Sequence, residues 1–349
     1  MTITKQLWAT APCGKEIFLY TLKNESGAYV QLSNVGAGIV SVVVPDKDEN
    51  LADVVLGYPE AASYFGDGPC AGKIPGRYAN RVALGKFTLD GVEYTLPINN
   101  GPNHLHGGPE GFQNKVWESR EHEGGVEFLY VSEDGEQGYP GAVKTVARYE
   151  WTEENELRLT LTAESDAPTV INLTNHAYFN LNGEGNGDIL GHVLTLNASE
   201  YLPTDATQIP LGESAPVAGT PMDFVNGKPI GQDIKADFEP LKIGKGYDHC
   251  WVIDGAEPGQ IQFCAELYAP ESGRVLQMYT TQPGVQVYTG NWLTGSPAGK
   301  DGHVYEDYCA VAIECQNYPD APNKPDYPSS VLRPGEVYKE AIIFAFGVK

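Results

Sequence analysis

Positive charge is scarce in this chain. Against 46 aspartates and glutamates stand 23 lysines and arginines, a formal net charge of −23 over 349 residues. Nucleic acids and anionic membrane surfaces are held by basic patches, so neither is expected as a partner. A neutral ligand gains nothing from electrostatic steering and stays compatible. Long apolar runs are also missing. No window approaches the ~20 residues of a membrane span, and the N-terminal MTITKQLWATAPCGKEIF lacks the hydrophobic stretch of a secretory leader. The six cysteines (13, 70, 250, 264, 309, 315) include no C-x-x-C pair and no zinc-like spacing. Free thiols in a cytoplasmic protein are the expectation. A dinucleotide fingerprint, a P-loop and a G-x-S-x-G elbow are absent too, so the cofactors and nucleophiles they serve have no support.

What is present has a period of two. Residues 39–44 and 52–56 flank the turn-like PDKDEN, residues 142–151 and 157–162 flank Glu153-Glu154-Asn155-Glu156, and residues 275–281 and 285–289 flank Gln282-Pro283-Gly284. Phe87-Thr88-Leu89, then Asp90-Gly91, then Val92 to Leu96 predicts a two-residue hairpin, because a type I′ turn needs positive φ at both central residues. Another strand is expected over 336–344, and only short stretches such as 59–64 suit a helix. Forty glycines and 25 prolines punctuate the strands. Many short strands with turn signals between them argue for an all-β sandwich or barrel. With no internal repeat and no linker, the chain reads as one domain, 1–349, with residues 203–245 a long loop region over the sheets.

Glu314 stands in the apolar run Cys309-Ala310-Val311-Ala312-Ile313-Glu314-Cys315. Strand alternation puts Val311 and Ile313 on one face and Ala310, Ala312 and Glu314 on the other. Two small residues then leave a hollow with an acid at its end. Burying a carboxylate is costly unless it is paired or solvated, so the acid is either structural or functional. In residues 170–181, an extended chain puts Asn172, Thr174, His176 and Tyr178 on one face, a polar row that carries neither Lys nor Glu. Such a row either grips a polyol or faces solvent. His104 and His106 share a strand face if extended, which raises a metal-binding barrel as a rival. The following Gly107-Gly108 instead suggests that something approaches the backbone closely, and His104 reads as a structural histidine. Asn80 and Arg81 supply amide and guanidinium donors, for a ligand or for a surface ion pair. Asp248-His249 places an acid and an imidazole at the head of an apolar strand.

Taken together, these segments resemble the aldose 1-epimerases, or galactose mutarotases. The matching pieces are GRYANRV (76–82), KFTLDGVEYTL (86–96), NHLHGG (103–108), GYPG (138–141), NLTNHAYFNL (172–181), YLPTD (201–205), AGTPMDF (218–224), GYDH (246–249), TTQPGVQVYTGN (280–291), IECQNYPDAPN (313–323) and LRPGE (332–336), in family order. The resemblance implies a large antiparallel β-supersandwich with an open sugar cleft. It implies interconversion of the α and β anomers of free aldohexoses such as glucose and galactose, without cofactor or metal, by a monomer or weak homodimer. Carried over by position, His176 is the general acid and Glu314 the general base, while Asn80, Arg81, His106, Tyr178, Asp248 and Gln282 hold the sugar. Departures such as Lys73-Ile74-Pro75 before the first motif and Cys250 after Asp248-His249 remove no catalytic position.

The implied chemistry suits these residue types. Opening a pyranose takes a proton from the C1 hydroxyl and gives one to the ring oxygen. One carboxylate and one imidazole on opposite sides of that unit can do both. Asp248 is expected to help keep the imidazole charged, and the hollow to raise the Glu314 pKa. Rival readings are a glycoside hydrolase pairing Glu314 with Asp248, a hexose-6-phosphate epimerase, which would carry extra basic residues, and a non-catalytic sugar sensor.

Overall fold

The computed structural model describes all 349 residues. Its backbone is organised by three antiparallel sheets. The N-terminal five strands, Thr2–Thr10, Glu16–Lys23, Tyr29–Ser33, Gly38–Pro45 and Leu51–Asp53, form a meander in chain order. The turn after Gly38–Pro45 is fixed by its own sequence: the Asp46 carboxylate accepts the amides of Asp48 (2.8 Å) and Asn50 (2.9 Å). That is the local bonding that makes aspartate a turn residue.

A nine-stranded sheet runs in the order Glu118–His122, Gly125–Ser132, Val143–Trp151, Glu156–Ser165, Tyr338–Val348, Arg274–Thr280, Gln262–Tyr268, Val193–Leu196, Lys228–Pro229. The C-terminal strand sits in its middle, paired with Glu156–Ser165 on one edge and Arg274–Thr280 on the other. A six-stranded sheet runs Tyr178–Phe179, Val311–Gln316, Gly284–Tyr288, Asp248–Val252, Glu200–Tyr201, Ala215–Pro216. The main hydrophobic core draws on all three sheets, from Tyr20 to Phe346. The arrangement is an antiparallel sandwich with no closed barrel.

The expected hairpin is present. Lys86–Leu89 pairs with Val92–Thr95, and Asp90 and Gly91 both have positive φ, 51° and 82°. Residues 59–64 contain one 3₁₀ turn, Ala61–Tyr64, and the one α-helix, Glu239–Gly244, lies within the irregular 203–245 stretch. Residues 275–281 and 285–289 behave differently from the other flanking pairs. Arg274–Thr280 already has neighbours on both edges, so the chain leaves that sheet at Gln282-Pro283, and Gly284–Tyr288 enters the six-stranded sheet instead. Residues 171–177 carry no regular ladder. They are extended enough that Ile171, Leu173, Ala177 and Phe179 still enter the main core.

Candidate active site

Alternation along Val311–Gln316 separates two environments. Val311, Ile313 and Cys315 point into the main core, whereas Ala312, with the preceding Ala310, joins a smaller cluster containing Tyr178 and Leu293. Cross-strand register then builds two rows on the second face. Tyr178, Ala312, Tyr288 and Asp248 lie opposite one another across four strands. In the next row stand Glu314, Gln286 and Cys250. The hollow expected over the alanines is filled. Tyr178 and Tyr288 flank Ala312 and meet edge-on above it, with ring centroids 6.0 Å apart. The open space lies beyond them, in a cleft of about 540 Å³ lined by Glu314, His176, His106, Arg81, Asp248 and Trp292, among others. That is an ordinary size for a small-molecule site.

His176 reaches this cleft because its backbone is held on both sides. Its carbonyl accepts the Gly72 amide and its amide donates to the Lys73 carbonyl, each at 2.9 Å. Lys73 itself is buried, ion-paired with Asp67 and bonded to the Tyr64 carbonyl, so the segment behind His176 is anchored from within. The imidazole Nε2 stands 3.5 Å from Glu314 Oε1. His176 Nδ1 and Glu314 Oε2 are buried without a hydrogen-bond partner.

Asn80 and His106 both adopt left-handed backbone conformations, φ 64° and 53°. Such geometry in non-glycine residues is held by its surroundings and is common at functional sites. The two residues brace each other. The His106 amide donates to the Asn80 carbonyl (3.0 Å), and the Asn80 amide donates to His106 Nδ1 (3.1 Å). Asn80 Oδ1 accepts the Arg81 amide, which leaves its NH₂ for the cleft. Gly107 cannot be replaced, since a Cβ there would lie 1.8 Å from the Gly76 carbonyl oxygen. The close approach inferred from Gly107-Gly108 is therefore that of the 76–77 backbone.

Arg81 donates through Nε to Asn100 (3.1 Å) and through Nη2 to Gln208 Oε1 (2.6 Å). Gln208 in turn donates to Asp248 Oδ2 (2.6 Å), and Gln286 donates to Asp248 Oδ1 (2.7 Å). Gln208 thus bridges the guanidinium and the carboxylate, which are 3.8 Å apart. Burial lowers the His176 pKa to about 4, partly opposed by Asp248. Burial also raises the Glu314 pKa well above the usual carboxylate value, reinforced by Asp248 and opposed by Arg81. The direction expected for Glu314 holds. That expected for His176 does not, because desolvation of the ring outweighs the attraction of Asp248. Both shifts work against an ion pair, favouring a neutral imidazole and a protonated carboxyl.

Of the residues singled out from sequence, Glu314, His176, Asn80, Arg81, His106, Tyr178 and Asp248 all line this cleft. Gln282 does not. Its amide donates to the Leu173 carbonyl (3.2 Å) and the Tyr338 hydroxyl (3.0 Å), and it faces a different cavity. The glutamine on the Glu314 face is Gln286, two residues beyond Gly284 on the neighbouring strand. Alternation from Gly284 would have pointed to it, had the register with Val311–Gln316 been known. Gln208 and Asn100 sit in loops whose sequence carries no such signal. His104 is structural, its two ring nitrogens satisfied by the Pro97 carbonyl and the Tyr139 hydroxyl, each at 2.7 Å.

The His104–His106 pair does not converge, but His106, His176 and Glu314 bring ligand-type atoms within 4.8 Å of one another. A ligating histidine usually donates its second ring N–H to an acceptor. His106 does the opposite, since its Nδ1 accepts a backbone N–H. Burial lowers its pKa, so the ring is neutral and its proton is on Nε2, a donor rather than a ligand. The trio does not fit a resident metal.

An all-β fold carrying a polar cleft, with a buried carboxyl–imidazole pair on its floor, has the make-up of a small-molecule enzyme site. Comparison with known proteins narrows this. The family model for aldose 1-epimerase matches residues 19–345. The chain is 41% identical to galactose mutarotase of Sus scrofa, over all of its length and 99% of the relative's, and 37% identical to aldose 1-epimerase of Escherichia coli, over 97% of each. In structure it is similar to the GalM/aldose epimerase homologue of C. elegans (TM-score 0.87, 31% identity, 95% of this chain and 98% of that one). It is also similar to galactose 1-epimerase of Lactobacillus acidophilus (TM-score 0.85, 29% identity, 99% of each). The chain belongs to the aldose 1-epimerase family and is an isomerase.

Proposed function

We propose that this isomerase interconverts the α and β anomers of free aldohexoses, glucose and galactose among them, by opening and reclosing the pyranose ring. Glu314 removes the C1 hydroxyl proton and His176 protonates the ring oxygen. The aldehyde then turns about C1–C2 and closes on its other face. The observation that carries this reading is the Glu314–His176 pair, 3.5 Å apart on the cleft floor, each with a buried polar atom lacking a protein partner. The two stand side by side rather than across the cleft from each other. That arrangement suits two oxygens borne on one carbon.

Ring opening uses ionised Glu314 and protonated His176, the form that burial of both groups disfavours. Arg81 stabilises ionised Glu314 and Asp248 stabilises protonated His176, while burial of both groups and the effect of Asp248 on Glu314 oppose that form. Arg81, Asn80, His106, Asp248 and Gln208 present donors and acceptors for the sugar hydroxyls, Gln286 holds Asp248 from behind, and Tyr178, Tyr288 and Trp292 supply apolar walls. The reaction needs no redox cofactor, because the sugar is neither oxidised nor reduced. We read residues 1–349 as one domain, in the cytoplasm, monomeric or weakly dimeric. The excess of acidic residues weighs against nucleic acid or membrane as a partner.

The test is polarimetry on freshly dissolved α-D-glucose and α-D-galactose, with and without a chelator. Accelerated mutarotation that survives the chelator is expected. Release of sugar from an aryl glycoside, or sugar binding with no rate effect, would replace the reading with a hydrolase or a sensor.

A further inference from the structure

A second cavity, about 530 Å³, equals the cleft in size and shares none of its residues. Its walls are apolar at Ile171, Pro283, Pro328, Leu332 and Val337. Its charged groups are all acidic: Glu257, Glu336 and Glu340, with no lysine or arginine. Gln282 forms part of the floor. It is only 1% exposed, its NH₂ is committed to Leu173 and Tyr338, and its Oε1 has no protein partner. The Thr281 hydroxyl donates to one oxygen of Glu340, leaving the other free.

The Ser330 hydroxyl is also buried without a partner and can donate or accept, so the charged groups of this cavity, all acidic and set among apolar walls, decide which charge it takes. We propose that it is a second binding site, for a small organic cation that carries an ammonium group on a compact apolar body. The ammonium donates to Glu340 and to Gln282 Oε1, and the apolar body covers the proline and valine walls. Charge-assisted bonds of this kind are the stronger ones. The site also touches the catalytic segment. Gln282 holds the Leu173 carbonyl and the Tyr338 hydroxyl accepts the Leu173 amide (3.2 Å), three residues before His176.

Benzylamine is a suitable probe, with benzyl alcohol as its uncharged counterpart. Calorimetric titration would be run at about pH 8, where the amine is charged. Benzylamine is expected to bind saturably at one site, about tenfold or more tighter than the alcohol, and to be weakened by a similar factor in Glu340→Gln. Saturating galactose should leave its affinity measurable rather than abolish it. Equal binding of the alcohol, full affinity in Glu340→Gln, or competitive displacement by galactose would each overturn the proposal. Because Glu340→Gln alone could act by disturbing the strand, crystals soaked in benzylamine give an independent check. Density against Glu340 and Gln282 supports the site, and density elsewhere overturns it.

Discussion

Glu314 and His176 are each defined by what they lack, a partner for one buried polar atom. Removing either proton-transfer group should lower the rate by about 10²–10⁴-fold. Glu314→Gln and His176→Asn keep size and polarity, so both variants should remain folded, by circular dichroism, while polarimetry shows the loss. The pH profile should have its acid limb near 4, where His176 takes up a second proton, and not near the 6.5 of a free imidazole. The alkaline limb should follow the raised pKa of Glu314, where the pair loses its last proton. Stability follows the same shifts. The depressed His176 pKa costs stability as pH falls below the unfolded-state value, and the raised Glu314 pKa costs it as pH rises through the folded-state value. Glu314→Gln should therefore be more stable than wild type at high pH, by calorimetry. Gln208→Ala frees Arg81 and Asp248 from their shared bridge, and should raise KM by about tenfold, with a smaller change in kcat.

The elements matter because they turn one-dimensional alternation into two-dimensional rows. Ala312 is small because Tyr178 and Tyr288 come together over it from the two neighbouring strands. Ala312→Leu should cost about 1–3 kcal/mol by overpacking, and should also push the tyrosine rings into the cleft. Denaturant melts and KM, measured together, would show both effects. His104 shows the structural use of a histidine. His104→Ala leaves the Tyr139 hydroxyl unpaired in the interior, which should cost about 1–3 kcal/mol. Its effect on kcat should be small beside that of His176→Asn. The error over Gln282 also belongs to this scale. Gln282 and Gln286 sit in one motif, TTQPGVQVYTGN, and only the crossing between sheets decides which one faces Glu314.

Across the whole molecule, the C-terminal strand Tyr338–Val348 is central to the largest sheet, and the main core reaches Phe346. A chain ending before Tyr338 would expose two strand edges and open the core. It should fail to fold, as circular dichroism would show. Glu340 lies on this strand, and burial raises its pKa to about 7. A carboxyl raised in this way favours the folded state at low pH, and that contribution is lost as pH rises from about 4.5 to about 7. Glu340→Gln should therefore raise the unfolding temperature more at pH 8 than at pH 5.

Much of the architecture was legible in the residues themselves. Period-two runs mark strands because side chains alternate across a pleat, and Asp90-Gly91 marks a hairpin because both positions need positive φ. The single acid in a buried run and the polar row ending in His176 and Tyr178 could be found the same way. These are local facts, set by backbone sterics and the cost of burying charge. Register and loop placement are not local. Only the folded chain decides that Glu314 meets His176 at 3.5 Å, that Gln286 rather than Gln282 faces them, and that Gln208 reaches the cleft from an irregular loop. The protonation of the pair also depends on the tertiary structure, since the depth of burial around His176 outweighs the nearby carboxylate that the sequence suggested would keep it charged.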